Sequence, residues 1–199
     1  MPRHHQHPRS YAEAMPSFAS PHPRYQQSFL RSVQEILDAH EEDHWTGLTI
    51  FGEETYTIEQ LAVPDAFAAF AQRLRDLARP EMLRPEGKVP ETLLWWVDGD
   101  AYLGRLSIRH ELTDALRELG GHIGYVVRPC ARRQGHARAM LAAALPITRG
   151  LGIDPALLTC DADNVGSRRV IESSGGVLED QRKDKLRFWV PTSVSLGHV

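Results

Sequence analysis

The sequence predicts a mixed α/β layer fold in a single domain, and two observations carry that expectation. Helix-period and strand-period patterns follow one another in the order helix, helix, β-hairpin, strand, helix, strand, helix, strands, which is not the regular alternation of a doubly wound sheet. The length of 199 residues sits near the upper range for one core and is enough to bury that core without metals or disulfide staples.

Residues 1–24 hold five prolines and four histidines, a composition that does not repay the entropy of folding, so they are expected to form a disordered or loosely docked arm ahead of a domain at 25–199. Over 25–40, Phe29, Val33, Ile36 and Leu37 recur at helical spacing, and the acidic residues Glu41, Glu42 and Asp43 follow. Residues 48–51 read as a short extended piece. A second helix is expected over 64–78, with Phe67, Phe70, Leu74 and Leu77 on one stripe and Pro64 suited to its first turn.

Beyond the charged link 79–90 the pattern becomes that of strands. Segments 92–97 and 102–108 flank the turn signal Asp98-Gly99-Asp100 and predict a hairpin. Residues 112–119 read as a short helix, and the β-rich run 121–127 stops at Arg128-Pro129. The following helix carries Ala137, Met140, Leu141, Ala144 and Leu145 as its apolar stripe; Pro146 threatens its last turns, and Gly150 with Gly152 ends it. Segment 157–160 reads as a buried strand, 161–164 as a polar turn and 167–173 as a helix stopped by Gly175-Gly176. The pieces 176–178 and 186–190 close the sheet.

Bulk composition narrows the function. Lys+Arg 23 against Asp+Glu 26 gives a net charge of -3, without the basic excess that drives sequence-independent binding to nucleic acid or anionic lipid. No apolar run approaches the roughly 20 residues that span a bilayer. Cys130 and Cys160 are too few for a disulfide framework and lack metal-ligand spacing, which fits a reducing cytoplasm. The cluster His4, His5, His7 belongs to the Pro-rich terminus, and no metal is expected.

The informative stretch is the turn at 132–137. A strand stops, and a helix starts with Gly135 and Ala137 at positions where no bulky side chain shields the backbone. Several unpaired N–H groups then converge at the positive end of the helix dipole, which makes an anion site. Arg132, Arg133 and Arg138 add cationic side chains around it. The stretch lacks both a Walker lysine and GxGxxG.

Arg132-x-x-Gly135-x-Ala137, preceded by Val126-Val127-Arg128-Pro129, resembles the (Q/R)xxGx(G/A) signature of the GNAT superfamily of N-acetyltransferases. A second block, 157–160 followed by Asn164-x-x-Ser167-x-x-Val170-Ile171-Glu172-x-x-Gly175-Gly176, is similar to that superfamily's strand, Asn-helix and glycine stop. The resemblance covers about 92–190. It implies a GNAT-like α/β fold, with a mixed, mostly antiparallel central sheet flanked by helices. It also implies acetyl-CoA as co-substrate, with Arg132, Arg133, Gln134, Gly135, His136, Ala137 and Arg138 around its pyrophosphate. Main-chain groups of Tyr125, Val126 and Val127 would pair with pantetheine, and Asn164 and Ser167 would lie beside it. Asn164 is equally suited to capping the helix that follows it.

The implied activity is direct transfer of an acetyl group to a primary amine of a small molecule or peptide; the competing reading is a non-catalytic acyl-CoA sensor. His122, set two alternations before Val126, is the candidate base. Many superfamily members carry a tyrosine seven residues after the Asn, where this chain has Ile171, so the proton donor is unassigned. Glu41, Glu42, Asp43, Glu53 and Glu54 are candidates to attract a cationic amine, and Trp45, Trp95, Trp96 or Trp189 to wall its pocket. The expected partners are that acceptor and, through the closing strands, a second copy in a homodimer, with neither nucleic acid nor membrane.

Overall fold

The computed structural model describes residues 15–41 and 46–193. The strands are β1 Ser17–Ala19, β2 Thr49–Ile50, β3 Glu54–Thr55, β4 Glu91–Asp98, β5 Ala101–Arg109, β6 Ile123–Val127, β7 Ala156–Asp161, β8 Val177–Arg182 and β9 Lys185–Val190. The helices are α1 Gln26–Asp38, α2 Ile58–Ala62, α3 Pro64–Asp76, α4 Asp114–Leu119, α5 His136–Gly150 and α6 Val165–Ser173. Seven strands form one sheet in the order β1-β4-β5-β6-β7-β9-β8, and β2 with β3 makes a separate hairpin. Among the described residues the β6–β7 contact alone is parallel, so the sheet is mostly antiparallel, as expected of a GNAT-like layer fold.

Side-chain alternation along β4 builds a core on each face of this sheet. Trp95 points to one face, where it stacks on Phe29 of α1 at 5.2 Å and meets Phe67 of α3. Trp96 points to the other, into the core that β5, β6, β7 and β9 share with Met140, Leu141 and Ala144 of α5 and Ile171 of α6. Arg128 ties the first helix to the strand end. Its half-buried guanidinium is held by Glu35 of α1 and donates to Ser28 Oγ at 3.1 Å, and Arg128 in turn holds the Glu35 carboxyl below its usual range.

Three expectations need correction. Order starts before Tyr25: Ser17–Ala19 pairs antiparallel with Val97–Trp95, and Phe18 sits edge-on to Trp96 at 4.9 Å. From Ser17 on, the expected arm is therefore an edge strand, while His4, His5 and His7 lie outside the described residues. Pro146 leaves the last turns of α5 intact and the helix runs to Gly150, the expected stop, because the carbonyl Pro146 orphans belongs to Ala142 on the exposed side of the helix, where water can reach it. The helix α2, which the apolar pattern does not show, is set by a capping box: Thr57 Oγ1 accepts from Gln60 N–H, and Gln60 Oε1 accepts from Thr57 N–H.

Candidate active site

The site begins where the sheet opens. The strand β6 pairs with β5 along its whole length, from Ile108↔Ile123 to Gly104↔Val127, but with β7 it shares only Ile123↔Leu158. Beyond that bridge the two strands diverge. Arg128 N–H donates to Leu103 O at 2.8 Å, so alternation turns the N–H and C=O of Val126 toward β5 and those of Tyr125 and Val127 toward the opening. Tyr125 and Val127 thus have the main-chain orientation expected of them. Val126 does not, and it reaches the cleft by its side chain alone.

The turn between β6 and α5 presents its amides outward. Arg133 (φ 62°) and Gly135 (φ 85°) are both left-handed, and Gly135 is the N-cap of α5. Among the described residues, the main-chain N–H groups of Arg133, Gln134, Gly135, His136, Ala137 and Arg138 have no acceptor in the protein. The first intrahelical bond is Ala139 N–H to Gly135 O at 3.1 Å. A Cβ on Gly135 would meet nothing within 4 Å, and Arg133, Gly135, His136, Ala137 and Arg138 line a cleft.

The arginines divide into two roles. Arg132 is committed within the protein: it grips the Glu41 carboxylate at 2.5 and 2.7 Å and donates from Nε to Val127 O at 3.1 Å. That bidentate contact holds the Glu41 carboxyl below its usual range. Arg133 and Arg138 have no ion pair among the described residues and remain as the cationic rim. Gln134 turns its side chain back to Cys130 O at 3.1 Å, and His136 Nδ1 accepts from Trp96 Nε1 at 3.3 Å.

Two adjoining clefts meet at the opening. The first, about 660 Å³, runs along the turn, the free edge of β6 and the start of α6. The second, about 1080 Å³, lies under the β2–β3 hairpin against Arg105, Ser107 and Arg109 of β5. They share Tyr125, Val126, Asp161, Asp163, Asn164 and Ser167. Asn164 caps α6, its Oδ1 accepting from Ser167 N–H at 2.9 Å. The Tyr125 hydroxyl is buried without a hydrogen-bond partner among the described residues; Ser167 lies close but makes no bond of acceptable geometry. Burial holds this phenol above its ordinary value.

His122 is not in the cleft. Gly121 (φ 64°) precedes it, and a Cβ there would come within 2.4 Å of Leu157 O, so the backbone kinks and the strand alternation starts only at Ile123. The imidazole is buried and accepts Leu157 N–H on Nδ1 at 2.9 Å. Burial first, then the charges of Arg117 and Arg109, pushes its pKa from 6.5 down to about 4. This histidine joins β6 to β7 and is no base at the opening.

The expected amine guides fare no better. Glu41 is held by Arg132 and Glu54 by Arg73, while Glu53 does not line the second cleft. Trp95 and Trp96 are core residues, and Glu42, Asp43 and Trp45 lie outside the described residues. The polar wall comes instead from β5. Alternation over 101–109 was the available signal, since it puts Arg105, Ser107 and Arg109 on one face.

Among the described residues no group of three His, Cys, Asp or Glu side chains is placed to hold a metal, and no helix is long and apolar enough to cross a membrane. A family model described as acetyltransferase (GNAT) domain matches residues 34–177. No curated protein matches the sequence. Solved structures do match the fold. The yncA acetyltransferase of Salmonella typhimurium with acetyl-CoA has TM-score 0.56 at 14% identity, covering 92% of this chain and 98% of that one. Mycobacterium smegmatis RimJ with CoA-disulfide has TM-score 0.61 at 19% identity, covering 91% and 83%. A spermidine N-acetyltransferase SpeG chimera from Vibrio cholerae and hSSAT has TM-score 0.58 at 13% identity, covering 93% and 100%.

Proposed function

Since the chain belongs to the GNAT acetyltransferase family, we propose that it moves an acetyl group from acetyl-CoA to a primary amine of a small molecule or peptide, in the cytoplasm, by direct transfer. The observation that carries this reading is the row of amides from Arg133 to Arg138, unpartnered among the described residues, at the head of α5 and on a turn that lines the first cleft. Such a row suits a diphosphate: it offers N–H donors, the positive end of a helix dipole and the rim of Arg133 and Arg138.

The remaining parts fit the same donor. The first cleft runs from this turn to the free edge of β6, where the main chain of Tyr125 can pair with an amide-bearing arm. Bound acetyl-CoA supplies an acetyl group activated as a thioester. Val127 N–H, turned to the opening, is placed to stabilise a developing oxyanion. Asn164 and Ser167 fix the lip of α6 beside it. The second cleft receives the acceptor and brings it to the shared residues, so that positioning supplies much of the rate. An amine acceptor is supported by the spermidine N-acetyltransferase among the structural neighbours.

The test is thiol release from acetyl-CoA against a panel of amines, with product mass recorded. Acetylated amine is the expected outcome. Tight CoA binding without turnover on any amine would favour the non-catalytic acyl-CoA sensor, the reading to which the withdrawn His122 and the buried Ile171 lend weight.

A further inference from the structure

The wall of the second cleft contains a glycine that the fold does not ask for. Gly124 stands inside β6, opposite Ser107 of β5, and its backbone stays outside the left-handed region. The nearest atoms to a Cβ there would be Ser107 Oγ and Arg109 Nη1, both at 3.7 Å, and Arg109 Nη2 at 3.8 Å. Those are ordinary van der Waals contacts, so packing does not exclude a side chain. A glycine inside a strand weakens it, and it often marks a place where a ligand approaches the backbone closely. What Gly124 keeps clear is the ground beside one hydroxyl and one guanidinium.

Those two groups suit an anion. Arg109 is fixed in place, its Nη1 donating to Gly120 O at 3.1 Å and to Gly121 O at 3.2 Å. Its Nε and Nη2 make no hydrogen bond, and the side chain makes no ion pair, among the described residues. The Nε–Nη2 edge is the fork that takes a carboxylate or phosphate by paired N–H donors. Arg105 and Lys88 line the same cleft. Against them stands Glu91, which faces Arg109 across β4 and β5 without pairing with it. The other acids of the cleft, Asp161, Asp163 and Asp184, belong to the far side of the opening, where Lys185 holds Asp161.

We propose that the acceptor is an amine that also carries an oxyanion, bound by Arg109 and Ser107 over Gly124, with its amine turned toward the opening where Asp161 and Asp163 stand. A polyamine has no such group and meets the positive charge of Arg105, Arg109 and Lys88 instead.

This inference rests on reading the second cleft as the acceptor's, and the test separates the two. The protein amino acids, β-alanine, γ-aminobutyrate and O-phosphoethanolamine are each set beside a twin that keeps the amine and loses the anion: the amino-acid amides, and ethanolamine for the phosphate. Binding is read by calorimetry with and without CoA, and turnover by thiol release from acetyl-CoA. At least one anionic amine is expected to bind about tenfold or more tighter than its twin, in line with charge-assisted hydrogen bonds. Preference among the amino acids identifies a carboxylate, and preference for O-phosphoethanolamine a phosphate. Gly124→Ala is expected to melt no lower than wild type, to bind CoA within about threefold of it, and to lose the preference, because its methyl group takes the place of the anion. Arg109→Lys, which keeps the charge and loses the fork, is expected to weaken the preference. Equal binding of every pair by wild type overturns the proposal even if amines are acetylated, and so does a preference that survives Gly124→Ala. A preference without thiol release supports this site and counts against acetyl transfer.

Discussion

Replacing Gly135 separates the stability of the turn from its use. The residue sits at φ 85°, where a side chain costs about 1–2 kcal/mol of backbone strain. A Cβ there meets nothing within 4 Å, so no steric cost is added. At about 2–4 °C per kcal/mol for a domain of this size, Gly135→Ala should lower Tm by roughly 2–8 °C and leave a folded protein. A methyl group there adds bulk beside the unpartnered amides of a turn that lines the first cleft. Displacing a diphosphate from one of them forfeits about 1.5–3 kcal/mol, or roughly ten- to hundredfold in Kd. Gly135→Glu adds a carboxylate at close range, worth about 4 kcal/mol against each phosphate charge at an effective dielectric of about 20, so its Kd for CoA should rise by more than about 10³-fold. Calorimetry with CoA, beside thermal melts, reads both effects. A folded Gly135→Glu protein that binds CoA within about threefold of wild type would refute the assignment of this turn to phosphate.

Other outcomes follow from the same geometry. His122 is neutral in the folded state down to about pH 4, whereas in the unfolded chain it takes a proton near 6.5, so stability is lost as pH falls through that window, by roughly 3 kcal/mol in all. Urea melts of His122→Ala should show this acid loss removed and a cost of about 1–3 kcal/mol at pH 8 from the orphaned Leu157 N–H, with the pH profile of turnover unmoved; a shifted profile would return His122 to the chemistry. Glu41→Gln removes a carboxylate from the first cleft and frees Arg132, so CoA affinity should rise about three- to tenfold at a stability cost under about 1 kcal/mol. Unchanged affinity at low salt would place Glu41 outside the phosphate field.

The sequence made the long elements legible because each carries a full period on a buried face. The helix with Phe29, Val33 and Ile36 and the hairpin around Asp98-Gly99-Asp100 fall within a few residues of the expected bounds. The edge strands showed only in part, 176–178 marking the start of β8 and nothing marking β1. In β8 most residues are exposed, so no alternation marks it, and β1 is three residues inside a Pro-rich stretch. At the site, the glycine turn was readable because Gly135 answers a local backbone need. The commitments of Arg132 to Glu41 and of His122 to Leu157 were not, since each joins groups far apart in the chain. Tyr125 entered as a backbone contact; only the fold shows that its hydroxyl is buried without a hydrogen-bond partner among the described residues.

The single bridge between Ile123 and Leu158 makes the sheet two blocks clipped together at one end. A molecule threaded through the gap, bonded to the loose edge of β6 and packed on α6, acts as a splint across them. At a hundredfold excess over Kd, such a ligand adds about 2.7 kcal/mol of stability. Resistance to added protease should then rise with the concentration of that ligand.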